Sequence, residues 1–224
     1  MKLIEVIKKK FNDDPSDLDG IRSLLDRRNL TAEELAELAA DFTEKCFGEY
    51  HDALDPEIES VFIENMHSNY IINAIGLLLD FGLDPNTIVD DENAMWNTMW
   101  IDAPNVAASV MKLLLEKGGD PNHRIRAEEE SLFEFIAFKV SYDEYTYEYF
   151  YTVQCWLVLM AYGGCWRNGE IPITMLGENS VEIFKDIEKF DYEIEPLPQE
   201  PGKYGCWTMH IFNKETNEEV AVYK

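Results

Sequence analysis

Basic residues are scarce in this chain. Nineteen lysines and arginines stand against 44 aspartates and glutamates in 224 residues, a formal net charge of −25. A field of that sign repels the phosphates of nucleic acid and of anionic lipid, which sets both aside as partners and favours a basic protein. No apolar run approaches the roughly 18 residues that a membrane-spanning helix needs. The opening MKLIEVIKKKF carries charges inside its apolar stretch and has no small-residue cleavage site, so it is not expected to be a signal peptide. The expected location is cytoplasmic.

Paired cysteines are missing as well. Cys46, Cys155, Cys165 and Cys206 include no C-x-x-C spacing, and His51, His67, His123 and His210 are equally dispersed. Structural zinc sites draw on paired spacing, so no metal is expected and the cysteines are expected to be free thiols. The chain has no G-x-S-x-G, no H-E-x-x-H and no glycine-rich phosphate loop. The run Asp90-Asp91-Glu92-Asn93 lacks the central glycine of a calcium loop. The expectation is therefore a protein with no catalytic residue and no cofactor.

What the chain does contain is a repetition. LLLDFGLDPN spans 77–86 and LLLEKGGDPN spans 113–122, 36 positions later. Each ending follows apolar residues at helical spacing: Ile71, Ala74, Ile75, Leu78 and Leu79 before the first, and Ala103, Val106, Ala107, Val110 and Leu114 before the second. Glycine takes the left-handed conformation that closes a helix, and proline cannot extend one. Gly82 and Gly118 are thus expected helix stops. Val158-Leu159-Met160-Ala161-Tyr162-Gly163-Gly164-Cys165-Trp166 reads as a third, worn copy, 45 positions after Gly118, with the extra length placed in 141–151. A shorter apolar segment precedes each helix: Ile58, Val61, Phe62 and Asn65; then 96–101; then Leu132, Phe133, Ile136 and Ala137.

These endings resemble those of the ankyrin repeat, whose unit is about 33 residues long. The resemblance covers roughly residues 56–190. It is specific at two units and loose at two, because Asn97-Thr98-Met99-Trp100 and Ser131-Leu132-Phe133-Glu134 replace the family's T-P-L-H opening. A last unit would open at Pro172-Ile173-Thr174-Met175-Leu176, with 181–190 as its second helix. The resemblance implies a stack of helix pairs that holds partners on inter-unit loops and short first helices.

The flanks read differently. Residues 1–55 look like a helical cap: Leu3, Ile4, Ile7 and Phe11 share a face, Thr31-Ala32-Glu33-Glu34 is a capping box, and Asp55-Pro56 starts a further helix. Residues 191–224 break with prolines and then alternate. Cys206–Phe212 and Val220–Tyr223 form an expected β-hairpin around NKETNEE, with Asp191–Glu195 a possible third strand. The fold class read from these features is mainly α: a helical N-terminal cap, an ankyrin-like solenoid and a small C-terminal hairpin.

Function then falls to the surface. The expected loop tips carry Asp90, Asp91 and Glu92, then Glu128, Glu129 and Glu130, with Met95 and Trp96 just past the first tip. The tract SYDEYTYEYFY contributes Asp143, Glu144, Tyr145 and Tyr147. Large apolar or aromatic groups inside a charged rim are the usual composition of a protein-binding centre. The expectation is a non-enzymatic interaction module for a basic protein, in its concrete form an immunity-type protein that neutralises a cationic toxin. The alternatives are a structural adaptor or self-assembling subunit, and an enzyme whose site carries no recognisable motif.

Overall fold

The computed structural model describes residues 2–44, 70–101, 104–124, 130–142, 147–196 and 207–223. The chain divides into two compact units, Met1–Asp120 and Pro121–Lys224.

The first unit opens with three helices: α1 (Leu3–Asp13), α2 (Leu18–Leu25) and α3 (Ala32–Glu44). Their starts are encoded locally. The Asp17 carboxylate accepts the Gly20 N–H at 2.8 Å and caps α2. At α3 the capping box is reciprocal: Glu34 N–H donates to Thr31 Oγ1 (3.2 Å) and Thr31 N–H donates to Glu34 Oε2 (3.0 Å). On α1, Ile4, Ile7 and Phe11 are buried, and Phe11 stacks on Phe42 of α3. A helix at 70–80 (α4) comes next, burying Ile71, Ala74, Ile75 and Leu78. Cys46, Cys206, Asp55-Pro56 and the segment containing Ile58, Val61, Phe62 and Asn65 lie outside the described residues.

Beyond α4 come a two-stranded hairpin, β1 (Ile88–Val89) and β2 (Glu92–Asn93), a short helix α5 (Ala94–Asn97) running into a 3-10 turn, and α6 (Pro104–Glu116). The second unit supplies α7 (Leu132–Tyr142) and α8 (Tyr147–Ala161). The helix stops expected at Gly82, Gly118 and Gly163 are present. Their φ values are 94°, 96° and 95°. Each stop carries the same pair of closing bonds. Leu83, Gly119 and Gly164 N–H reach back to Leu78, Leu114 and Leu159 carbonyls, while Gly82, Gly118 and Gly163 N–H donate to Leu79, Leu115 and Met160.

The asparagines of the two D-P-N turns each bond the backbone at a later helix stop. Asn86 Nδ2 donates to Gly118 O (3.0 Å), and its Oδ1 accepts from Asp120 N–H (2.9 Å). Asn122 repeats the arrangement with Gly163 O (3.0 Å) and Cys165 N–H (3.0 Å). The extra length of the third copy lies mainly in the longer helices α7 and α8, between which only 143–146 fall, and it does not disturb this contact.

The expectation of a mainly α solenoid with a small hairpin does not hold. The fold is mixed α/β, about 53% helix and 14% strand, and its C-terminal part is a four-stranded antiparallel sheet. The strands are β3 (Ile173–Met175), β4 (Phe190–Pro196), β5 (Trp207–Asn213) and β6 (Glu219–Tyr223), in spatial order β3-β6-β5-β4. Residues 173–175, expected to open a further helix pair, pair instead with 221–223 of β6. The apolar run of β6 is buried at Val220, Ala221 and Val222, and the strand is paired along both edges, with β3 and with β5. Val181–Lys189 is a kinked 3-10 segment rather than a second α-helix; it buries Phe184 and Ile187, three apart, which is the 3-10 period.

Candidate partner-binding surface

The first expected tip is the β1–β2 hairpin. Ile88 pairs with Asn93 and Val89 with Glu92, leaving Asp90 and Asp91 as a two-residue turn. Their φ values are 51° and 69°. Two successive left-handed residues define a type I′ turn, a geometry that matches the twist of the flanking strands and normally selects Asn-Gly or Asp-Gly. Both aspartates are exposed and Glu92 is half-buried. The turn is seated by the short helix after it. Asn93 is buried and its Oδ1 accepts the Trp96 N–H at 3.0 Å, capping α5. Thr98 Oγ1 donates to the Met95 carbonyl at 2.6 Å and closes that helix.

Met95 is not a surface anchor. Only 1% of it is exposed, and it fills the space left by Gly119, where an added Cβ would lie 2.5 Å from the Met95 sulfur. The apolar residue that the hairpin does present is Ile88, 41% exposed. Sequence reasoning misses it because an isoleucine in a turn region reads as buried strand. Its position directly before the acids of a tight turn is the signal that would mark it. Trp96 is half-buried, with its backbone held by the Asn93 cap.

At the second expected tip, Glu128 and Glu129 lie outside the described residues, and Glu130 is exposed. The residues around it form a tight polar knot. Arg124 Nη2 pairs with Glu134 Oε2 at 2.6 Å. Ser131 N–H donates to Glu134 Oε2 (3.1 Å), Glu134 N–H donates to Ser131 Oγ (3.2 Å), and Arg167 N–H donates to Glu134 Oε1 (3.0 Å). Burial works to raise the Glu134 carboxyl, but the Ser131 bond, the Arg124 pairing and the Arg167 bond outweigh it and hold the group below the ordinary glutamate value. This is a capping box that also anchors the chain after the Gly163-Gly164 stop. In the acidic, tyrosine-rich tract, Asp143, Glu144 and Tyr145 lie outside the described residues, and Tyr147 is the first residue of α8.

Chemistry is thin elsewhere. Burial pushes the Cys155 thiol up to about 12, which keeps it protonated and a poor nucleophile at neutral pH. Among the described residues no group of three or more His, Cys, Asp or Glu side chains is placed to hold a metal ion. None of the described helices is long and apolar enough to cross a membrane. Comparison with protein-family models, with curated proteins and with solved structures found no match to this chain.

Proposed function

We propose that this protein is a non-enzymatic interaction module that binds a basic protein, with the β1–β2 hairpin as one of its contact points. One observation carries the reading: Asp91, at φ 69°, holds the second left-handed position of the turn, which glycine normally fills, directly after Asp90 at the position where aspartate is usual. A non-glycine residue at that second position costs about 1 kcal/mol, and such strain concentrates where a side chain is needed. With Asp91 kept at that cost, two adjacent exposed carboxylates stand beside an exposed isoleucine in a chain of net charge −25. The acids steer a cationic surface inward, and Ile88 with the half-buried Trp96 supplies the apolar contact that resists departure. The concrete form of this reading is an immunity-type protein that covers the basic cleft of a toxin.

The test is affinity capture from the source cell at low salt, comparing the wild-type chain with an Ile88→Ser/Asp90→Asn/Asp91→Asn variant. A basic protein should be held by the wild type, released by salt, and bound roughly tenfold more weakly by the variant. Equal retention of the same proteins by both forms would remove the hairpin from the binding surface. Turnover of a substrate by the purified chain would end the non-enzymatic reading.

A further inference from the structure

The β4 strand forms one edge of the four-stranded sheet and is paired with β5 along its whole length, from Phe190↔Asn213 to Pro196↔Trp207, without a register shift. Among the described residues no strand lies on its other side. The register says which backbone groups face that side. Just before the strand, Lys214 N–H donates to Lys189 O, so 189 and 214 are a hydrogen-bonded pair. On β5, Asn213 N–H donates to Glu218 O, toward β6 and away from β4. Hydrogen-bonded and non-hydrogen-bonded pairs alternate along an antiparallel ladder. It follows that Asp191 and Glu193 bond to β5, while the N–H and C=O of Tyr192 and Ile194 point outward.

Natural edges are blunted by bulges, by short length, by lysines or by proline. β4 has seven residues and no bulge, and a proline only at its last position. Its charges are three acids and no base: Asp191, Glu193 and Glu195. Asp191 and Glu193 are exposed; Lys214 lies 3.4 Å from Asp191. Two copies of this edge laid together would set acid against acid, which opposes pairing of the chain with itself. A strand with cations at alternate positions meets no such repulsion. The geometry points to β4 as a docking edge for an extended basic peptide segment, which adds to the sheet as a fifth strand through the Tyr192 and Ile194 backbone. The inference rests on the basic-partner reading for the sign of the partner's charge, and it uses none of the hairpin's residues.

The probe is a nine-residue synthetic peptide of alternating lysine and threonine, titrated at low salt while amide exchange is followed by NMR. A second peptide carries the same charges but is N-methylated at every threonine. The unmodified peptide should slow exchange of the Tyr192 and Ile194 amides about tenfold at saturation, and the methylated one should leave them unchanged. Asp191→Asn/Glu193→Gln should weaken binding about fivefold. Ile194→Pro should abolish it while circular dichroism stays native, because the lost N–H faces away from β5. Equal binding of the two peptides, or saturation without slower exchange at Tyr192 and Ile194, would overturn the inference, as would no binding at low salt. If that binding is instead lost in Asp90→Asn/Asp91→Asn, the hairpin reading survives and the β4 edge does not. If that variant binds normally with β4 protected, the edge stands on its own.

Discussion

Gly163 and Gly164 are neighbours, and an alanine at each tests a different constraint. At Gly163 φ is 95° and nothing lies within 4 Å of an added Cβ. The cost there is conformational only. A left-handed alanine costs about 1–2 kcal/mol, offset by about 0.4–1 kcal/mol from a less flexible unfolded chain, which leaves a loss of about 1 kcal/mol. At Gly164 the backbone is not left-handed, but an added Cβ would lie 2.7 Å from Phe133 Cδ2 and 2.9 Å from the Leu159 carbonyl oxygen. Phe133 is fully buried and stacks on Trp156, so the ring has little room to withdraw. The Leu159 carbonyl is the acceptor of the Gly164 N–H at 2.8 Å, so displacing it weakens the bond that closes α8. Overpacking of about 1–3 kcal/mol plus a hydrogen bond of about 1 kcal/mol gives a loss of about 2–4 kcal/mol. Urea unfolding followed by circular dichroism measures both variants. Two rescues separate the causes. Asparagine, which tolerates left-handed backbone, should restore most of the loss at Gly163 but none at Gly164. Phe133→Leu should couple favourably with Gly164→Ala in a double-mutant cycle and be additive with Gly163→Ala. If Gly163→Ala costs as much as Gly164→Ala, or if Phe133→Leu couples equally to both, the division into conformational and steric causes is wrong.

Three further outcomes are expected. Asp91→Gly relieves the turn at φ 69° and should stabilise the chain by about 0.5–1 kcal/mol in urea while slowing association with a basic partner; a variant that is both less stable and equally fast in binding would contradict the strain argument. The Glu134 carboxyl is depressed in the folded state, so its contribution is present above the unfolded value of about 4.3 and is lost as pH falls through the lower folded value. Glu134→Gln should accordingly flatten the acid limb of the stability–pH curve, and an unchanged limb would argue against the carboxyl's part in it. Cys155, buried with its thiol near 12, should stay unlabelled by iodoacetamide at neutral pH until the chain unfolds, while the half-buried Cys165 reacts first; peptide mapping by mass spectrometry reads both.

The features legible in the sequence are those whose physics is local. A glycine that closes a helix needs only its own φ, so Gly82, Gly118 and Gly163 announce themselves. The Thr31–Glu34 box needs only four residues. The strands β5 and β6 alternate clearly enough to read as a hairpin, and 191–195 as a strand beside them. What escapes is set by partners far along the chain. Ile173-Thr174-Met175 is too short to carry a period, and it is a strand because 221–223 pairs with it. Val181, Phe184 and Ile187 at intervals of three suit an α-helix or a 3-10 segment equally, and the kink at Asp186 decides. The candidate site divides the same way. The acids of the tip stand where a charged turn predicts them, but whether Met95 faces solvent depends on Gly119, and the geometry of Asp90-Asp91 depends on the pairing of Ile88 with Asn93.

Asn86 and Asn122 have a consequence for how this chain can change. Asn86 grips the next helix end 32 and 34 positions downstream, and Asn122 does so 41 and 43 positions downstream, with amide contacts of the same kind and length. The chain enclosed by such a grip can therefore lengthen without opening it, as it does within α7 and α8, and the two helices meet at a short junction bounded by Tyr142 and Tyr147. Such a junction is a natural graft point: residues inserted between Tyr142 and Tyr147 alter what the protein displays and leave its framework in register. Relatives of this chain would then diverge in length first at that junction, and an engineered loop placed there should be carried without loss of the fold.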